Sequence, residues 1–211
     1  MNETFLRKIF SLLSGNQQFP YYQAERRIDI FINFFLKDII QQHTEFEDAI
    51  FVAAEFPLKK NEKTDHAAHI DYLMYSKSKS TVLLVELKTD DSSFDPEQID
   101  FYLNYENFKD WYDKFESIKL NRHKSLKIKL QDTIREKIGT DLQCIKTNVV
   151  VLKPTFQVAD YDKLKGDHKR VAFIPLINLN ITTEFQKEWD LMKEAVLADL
   201  RQRKRPADLK K

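Results

Sequence analysis

Asp71, Glu86 and Lys88 are the residues whose types and spacing bear most directly on chemistry. Glu86-Leu87-Lys88 closes the apolar run TVLLV with no turn residue between. A carboxylate and an ammonium two residues apart on a buried strand are expensive to desolvate. Strand side chains alternate faces, so Val82, Leu84, Glu86 and Lys88 share one face, and Leu83, Val85 and Leu87 the other. On the preceding strand His69, Asp71, Leu73 and Tyr75 share a face. If the two strands pair as a hairpin, Asp71 falls beside Glu86. Two carboxylates at one partly buried spot repel unless a cation lies between them. Mg²⁺ is a hard ion that takes such oxygens together with water. A neighbouring lysine then orients or deprotonates a bound water and stabilises developing negative charge.

The elements that must position these residues are legible in the patterning. Residues 3–14 carry apolar positions at helical spacing and end near Gly15. Residues 20–43 carry a helical stripe of Ile28, Phe31, Ile32, Phe35, Leu36 and Ile39. Strands are expected over 49–56, stopping before Pro57, and over 67–75 and 80–88, the last two joined by SKSKS as a hairpin. A helix starts at FDPEQ, with Asp95 as N-cap and Pro96 at the first helical position, and runs to about Phe115. A further helix over 124–138 ends at Gly139. Strands follow over 147–153 and 170–177, Pro175 pushing the latter to an edge, and a last helix over 183–201. This order implies an α/β domain, a mixed sheet covered by helices. No repeat or low-complexity linker divides it, so 1–211 reads as one domain. Its core is 20–178, with an N-terminal helix in 1–15 and a C-terminal helix and basic tail in 183–211.

Asp71 followed after fourteen residues by Glu86-Leu87-Lys88 resembles the signature of the PD-(D/E)xK nuclease superfamily. Glu25, in the helix before the sheet, sits where many members carry an extra acidic ligand. Gln98 and Tyr102, in DPEQIDFYLNY, match the Q-x-x-x-Y pattern of the RecB-like and lambda-exonuclease-like branch. The order helix–β–β–β–helix–β matches too, and the resemblance covers about 20–155. The family's eponymous proline is absent, Ile70 standing before Asp71. The resemblance implies a restriction-endonuclease-like fold (α-βββ-α-β core) and Mg²⁺- or Mn²⁺-dependent phosphodiester hydrolysis, with DNA as partner. On it, Asp71, Glu86, the Leu87 carbonyl and Glu25 hold the metal, Lys88 positions the attacking water, and Gln98 and Tyr102 position nucleic acid or site.

Plainer readings stand beside these. Glu86 and Lys88 can be a solvated strand end with Asp71 as an ion-pair neighbour. Gln98 can be the back-reaching residue of a capping box with Asp95, Tyr102 a core residue, Glu25 a surface acid paired with Arg26 or Arg27, and Glu55 structural. His66 and His69, with Asp65 and Asp71, are zinc candidates of poor chelate spacing. Cys144 reads as a core residue. Residues 117–131 hold five Lys or Arg and no acid. Lys119, Arg122 and Lys124 are the candidate phosphate contacts there. The tail RQRKRPADLKK is a second basic stretch, and each stretch is also readable as a solvated face.

Composition bounds the function classes. Three glycines, Gly15, Gly139 and Gly166, leave no phosphate loop, dinucleotide turn or nucleophile elbow. A net charge of +1 gives no global sign of a nucleic-acid binder, so only local distribution can. No apolar run reaches the roughly 20 residues of a membrane span, so no membrane partner is expected. The N-terminus lacks signal-peptide features, and a single cysteine allows no internal disulfide, which fits a reducing cytoplasm. A homo-oligomer is compatible with this composition, and so is a non-catalytic binding or assembly module of the same fold.

Overall fold

A computed structural model describes residues 6, 7, 9, 25–59, 67–90, 93–118, 124–198 and 200, the side chains of 25–27, 59, 67 and 68 excepted. Most of the 3–14 helix, His66, Lys119, Arg122, the basic tail and the Glu25 side chain lie outside the described residues. The order is helix α1 (Glu25–His43), strands β1 (Ile50–Lys59), β2 (Ala67–Ser76) and β3 (Thr81–Leu87), then helices α2 (Pro96–Leu103), α3 (Phe108–Ser117) and α4 (Lys124–Lys137). Strand β4 (Lys146–Lys153), the short helix α5 (Ala159–Asp162), strand β5 (Val171–Pro175) and helix α6 (Gln186–Met192) complete it.

The five strands form one open mixed sheet in the order β1-β2-β3-β4-β5. β1, β2 and β3 are antiparallel neighbours, whereas β4 runs parallel to β3 and β5 parallel to β4. The α/β class with a mixed sheet and flanking helices is as expected. Every residue of β3 is buried, as its continuous apolar run requires of a central strand covered on both faces. The period-two division holds. Leu83, Val85 and Leu87 pack with Ile32, Phe35 and Leu36 of α1, and with Trp189 of α6. Val82 and Leu84 pack on the other face with Tyr102 of α2, with Phe108, Trp111 and Phe115 of α3, and with Ile134 of α4. Among the described residues no helix is long and apolar enough to cross a membrane.

Several boundaries differ from the expectation. β1 runs through Pro57, which pairs with His69; an edge strand is bonded on one side alone and tolerates a residue with no N–H. The helix expected from 96 to about 115 is two helices. Asn107 bridges Lys146, Glu106 accepts from the Thr147 N–H at 2.8 Å, and the Arg170 guanidinium donates to the Leu103 and Tyr105 carbonyls. A tertiary clamp on orphan helix-end carbonyls thus ends α2 where local propensity would continue it. The last helix starts at Gln186 and opens into a π turn over Lys193–Leu197. Gly139 closes α4 with φ +108, its N–H donating to the Ile134 carbonyl. β5 ends at Pro175 on the sheet edge, as expected.

Candidate functional site

The β2–β3 ladder ends at Tyr72 opposite Val85, so the next register position sets Asp71 opposite Glu86. There the Asp71 side chain replaces a ladder bond, its Oδ2 accepting from the Leu87 N–H at 2.6 Å. β3 keeps its bond to β4 on the other side, the Lys88 N–H donating to the Leu152 carbonyl at 2.7 Å. A strand residue turns its N–H and C=O toward the same neighbour, so the Leu87 carbonyl also faces β2. The β1–β2 register carries this row one strand further. Ala54 pairs with Tyr72 and Phe56 with Ile70, which sets Glu55 opposite Asp71. Glu55 has φ +53, in the left-handed region, where a non-glycine residue is strained.

Glu86 is 3 % exposed and Lys88 8 %. They are not a solvated strand end but part of a buried network with α2. Lys88 Nζ donates to Glu86 Oε1 at 2.6 Å and to Gln98 Oε1 at 3.0 Å. Gln98 Nε2 donates to Glu86 Oε1 at 2.8 Å and to the Tyr102 hydroxyl at 2.6 Å. The Tyr102 hydroxyl donates to Glu86 Oε2 at 3.0 Å. Burial pushes the Tyr102 phenol far above its usual range, and the Glu86 carboxylate adds to the shift. The i, i+4 spacing of Gln98 and Tyr102 puts both on one helix face, and Asp95, accepting from the Glu97 N–H at 3.0 Å, fixes where that helix begins. Gln98 therefore turns into the sheet, not back to the cap.

Asp71 and Leu87 also line a pocket of about 360 Å³ together with Asp29, Glu55, Ile30 and Tyr72. Tyr72 ties α1 to this wall, its hydroxyl donating to the Asp29 carbonyl at 3.0 Å. Glu86 is not among the lining residues; its oxygens are turned to Lys88, Gln98 and Tyr102. The carboxylates of Asp29, Glu55 and Asp71 and the Leu87 carbonyl are hard oxygen donors, the type that Mg²⁺ or Mn²⁺ takes. Among the described residues, no group of three or more His, Cys, Asp or Glu is arranged to hold a metal ion.

The sequence reading missed Asp29, although it lies one turn after Glu25 and so on the same helix face. It also missed the buried pair at the same end of β4. Lys153 Nζ meets Asp160 Oδ2 at 2.8 Å, Lys163 meets Asp160 Oδ1 at 3.0 Å, and Lys153 lies 4.8 Å from the Phe94 ring centre. Burial pushes the Asp160 carboxyl up, but the bonds from Lys153, Lys163 and the Gln157 N–H outweigh it and hold it below its ordinary value. No sequence motif marks this pair, because its partners meet only when the β4–β5 crossover folds back. Lys124 is exposed at the start of α4. His69 is exposed and lines a separate groove with Glu55. Cys144 is exposed, not core, because it lies in the turn before β4. No family model, curated protein or solved structure matches the chain.

Proposed function

We propose that this chain is a metal-dependent nuclease of the PD-(D/E)xK superfamily, with the restriction-endonuclease-like fold, hydrolysing phosphodiester bonds of DNA. The observation that carries the reading is the join of Asp71 to the Leu87 N–H, beside the buried Glu86–Lys88–Gln98–Tyr102 network. Asp71 and the Leu87 carbonyl would hold Mg²⁺ or Mn²⁺ with acids from α1 and β1 that include Asp29 and Glu55; Glu86 would join them only by turning an oxygen away from Lys88, Gln98 or Tyr102. A divalent ion there supplies Lewis-acid polarisation of the phosphoryl group and a water acidified toward hydroxide. Lys88 keeps a cation at the strand end, where it orients the attacking water and offsets charge developing on phosphate oxygens. Gln98 and Tyr102 are positioning residues that hold the Glu86 carboxylate and the Lys88 ammonium in register.

The test is incubation of purified protein with Mg²⁺ or Mn²⁺ and linear, single-stranded and circular DNA, wild type against Asp71→Asn and Lys88→Ala. Wild-type cleavage that falls at least about 100-fold in both variants is expected, the scale at which removal of one catalytic group is felt. Equal cutting by all three, or none by the wild type, overturns it. A second reading, a non-catalytic module of this fold, is favoured by one observation: both Glu86 oxygens are already bonded to protein donors. Titration calorimetry separates the two, since the module binds no Mn²⁺ at Asp71.

A further inference from the structure

The buried Lys153–Asp160 pair is charge that the proposed mechanism leaves unused. Leu87 pairs with Leu152, and the Lys88 N–H donates to the Leu152 carbonyl. The next register position therefore sets Lys153 beside Lys88, one strand spacing of about 4.8 Å away. Val149 and Val151 pack with Ile99 and Tyr102 of α2, and alternation puts the Lys153 side chain on that same face. Two ammoniums side by side and out of water repel. Each is held by its own carboxylate, Lys88 by Glu86 within β3 and Lys153 by Asp160 on the β4–β5 crossover. Asp160 is 2 % exposed. It also accepts from the Lys163 ammonium at 3.0 Å and from the Gln157 N–H at 3.1 Å.

What Asp160 gathers is packed on the start of α2. The Lys153 and Lys163 ammoniums lie 4.8 Å and 5.8 Å from the Phe94 ring centre, and Phe173 meets that ring edge-on at 5.5 Å. Phe94 directly precedes Asp95, the N-cap of α2. In the first turn of that helix Gln98 bonds Glu86, Lys88 and Tyr102. The crossover grips α2 further on, at Asp100 through the Lys165 and Gly166 N–H groups, and at its last carbonyls through Arg170. The Phe94 contact adds the hold at the helix start. We infer that Asp160 is a positioning residue of the candidate site: by seating Lys153 and Lys163 on Phe94 it sets where α2 begins, and so where Gln98 and Tyr102 meet Glu86 and Lys88. The inference rests on the nuclease reading for what the site does, while the positioning is separable from cleavage.

The experiment is fluorine NMR of the full chain labelled with meta-fluorotyrosine, the Tyr102 resonance being assigned from Tyr102→Phe. The proteins are wild type, Asp160→Asn, Phe94→Leu and Asp48→Asn, each checked for folding by circular dichroism. Phe94→Leu removes the ring without touching a buried charge, and decides the matter if Asp160→Asn does not fold. Asp48 bonds the β2–β3 turn, at the opposite end of β3, so Asp48→Asn controls for a general loss of stability. The Tyr102 resonance is expected to shift in Asp160→Asn and in Phe94→Leu, and to stay in place in Asp48→Asn. In the Mg²⁺ or Mn²⁺ cleavage assay, kcat is expected to fall at least about tenfold in the first two at nearly unchanged KM. That is the pattern of misplaced reacting groups with substrate binding intact. An unmoved Tyr102 resonance in Phe94→Leu and in folded Asp160→Asn overturns the inference and leaves the pair as a brace of the crossover. An equal shift in Asp48→Asn also overturns it, as does a wild type that cuts while both variants keep its kcat. The expected shifts in a protein that cuts nothing uphold the positioning and sink the nuclease reading instead.

Discussion

Glu86 shows how a charge is kept inside a sheet. Two isolated ions at these depths would be strongly disfavoured, and a buried pair is held only when remaining hydrogen-bonding capacity is met. Lys88, Gln98 and Tyr102 meet it, with hydrogen bonds to Glu86 and to each other within 3.0 Å. Removing one partner leaves the other as an uncompensated buried charge. Lys88→Met is therefore expected to destabilise by about 3–5 kcal/mol, and Glu86→Gln/Lys88→Met by clearly less than the sum of its single changes. Urea denaturation of the four proteins measures the coupling; additive losses would show that the two side chains act independently. The chemistry of Glu86 and Lys88 was visible in their spacing. Which neighbour each oxygen chose was not, because Gln98 and Tyr102 reach them from a different element.

At the scale of elements, the β2–β3 hairpin depends on a residue outside it. Asp48, before β1, accepts from the Ser76 hydroxyl at 2.5 Å, the Ser78 N–H at 2.7 Å and the Ser78 hydroxyl at 2.9 Å. The Ser76 hydroxyl, then the Ser78 N–H, holds the Asp48 carboxyl down to about 2. A folded-state value below the unfolded one, ~3.9, means the folded protein binds the proton less readily. Its contribution is then present above the unfolded value and lost as pH falls through about 2. Asp48→Asn is expected to lower the melting temperature at pH 7, and the gap from wild type should close between pH 4 and pH 2. A gap that stays constant over that window would mean the carboxylate charge is not what holds the turn. The hairpin itself was legible from SKSKS between two apolar runs. The bond that fixes it was not, since Asp48 and Ser76 are 28 residues apart and no local pattern links them.

Across the whole molecule, the segment between β4 and β5 closes over α2. The Asp100 carboxylate accepts from the Lys165 N–H at 2.9 Å and the Gly166 N–H at 3.0 Å. A Cβ at Gly166 would lie 2.7 Å from Leu103 Cδ1 and 3.1 Å from Leu103 Cβ. Gly166→Ala should therefore push the crossover off α2 and destabilise by about 1–3 kcal/mol. Chemical denaturation checks the loss, and a neutral or stabilising result would show that Leu103 yields freely. Because α2 also carries Gln98 and Tyr102, the same variant tests how far crossover packing supports the candidate site.

Local periodicity along the chain was enough for several of these features. Alternation over 80–88 separated Glu86 and Lys88 from Leu87. Helical spacing put Gln98 and Tyr102 on one face. Glycine and proline marked the ends of α4 and β5. The remaining features came from tertiary structure alone. It split the helix after Leu103, because Arg170 binds its terminal carbonyls. It set Glu55 and Asp29 around Asp71, and it buried Lys153 against Asp160. Those outcomes depend on which strands become neighbours and in what register, and long-range pairing of that kind leaves no periodic trace along the chain.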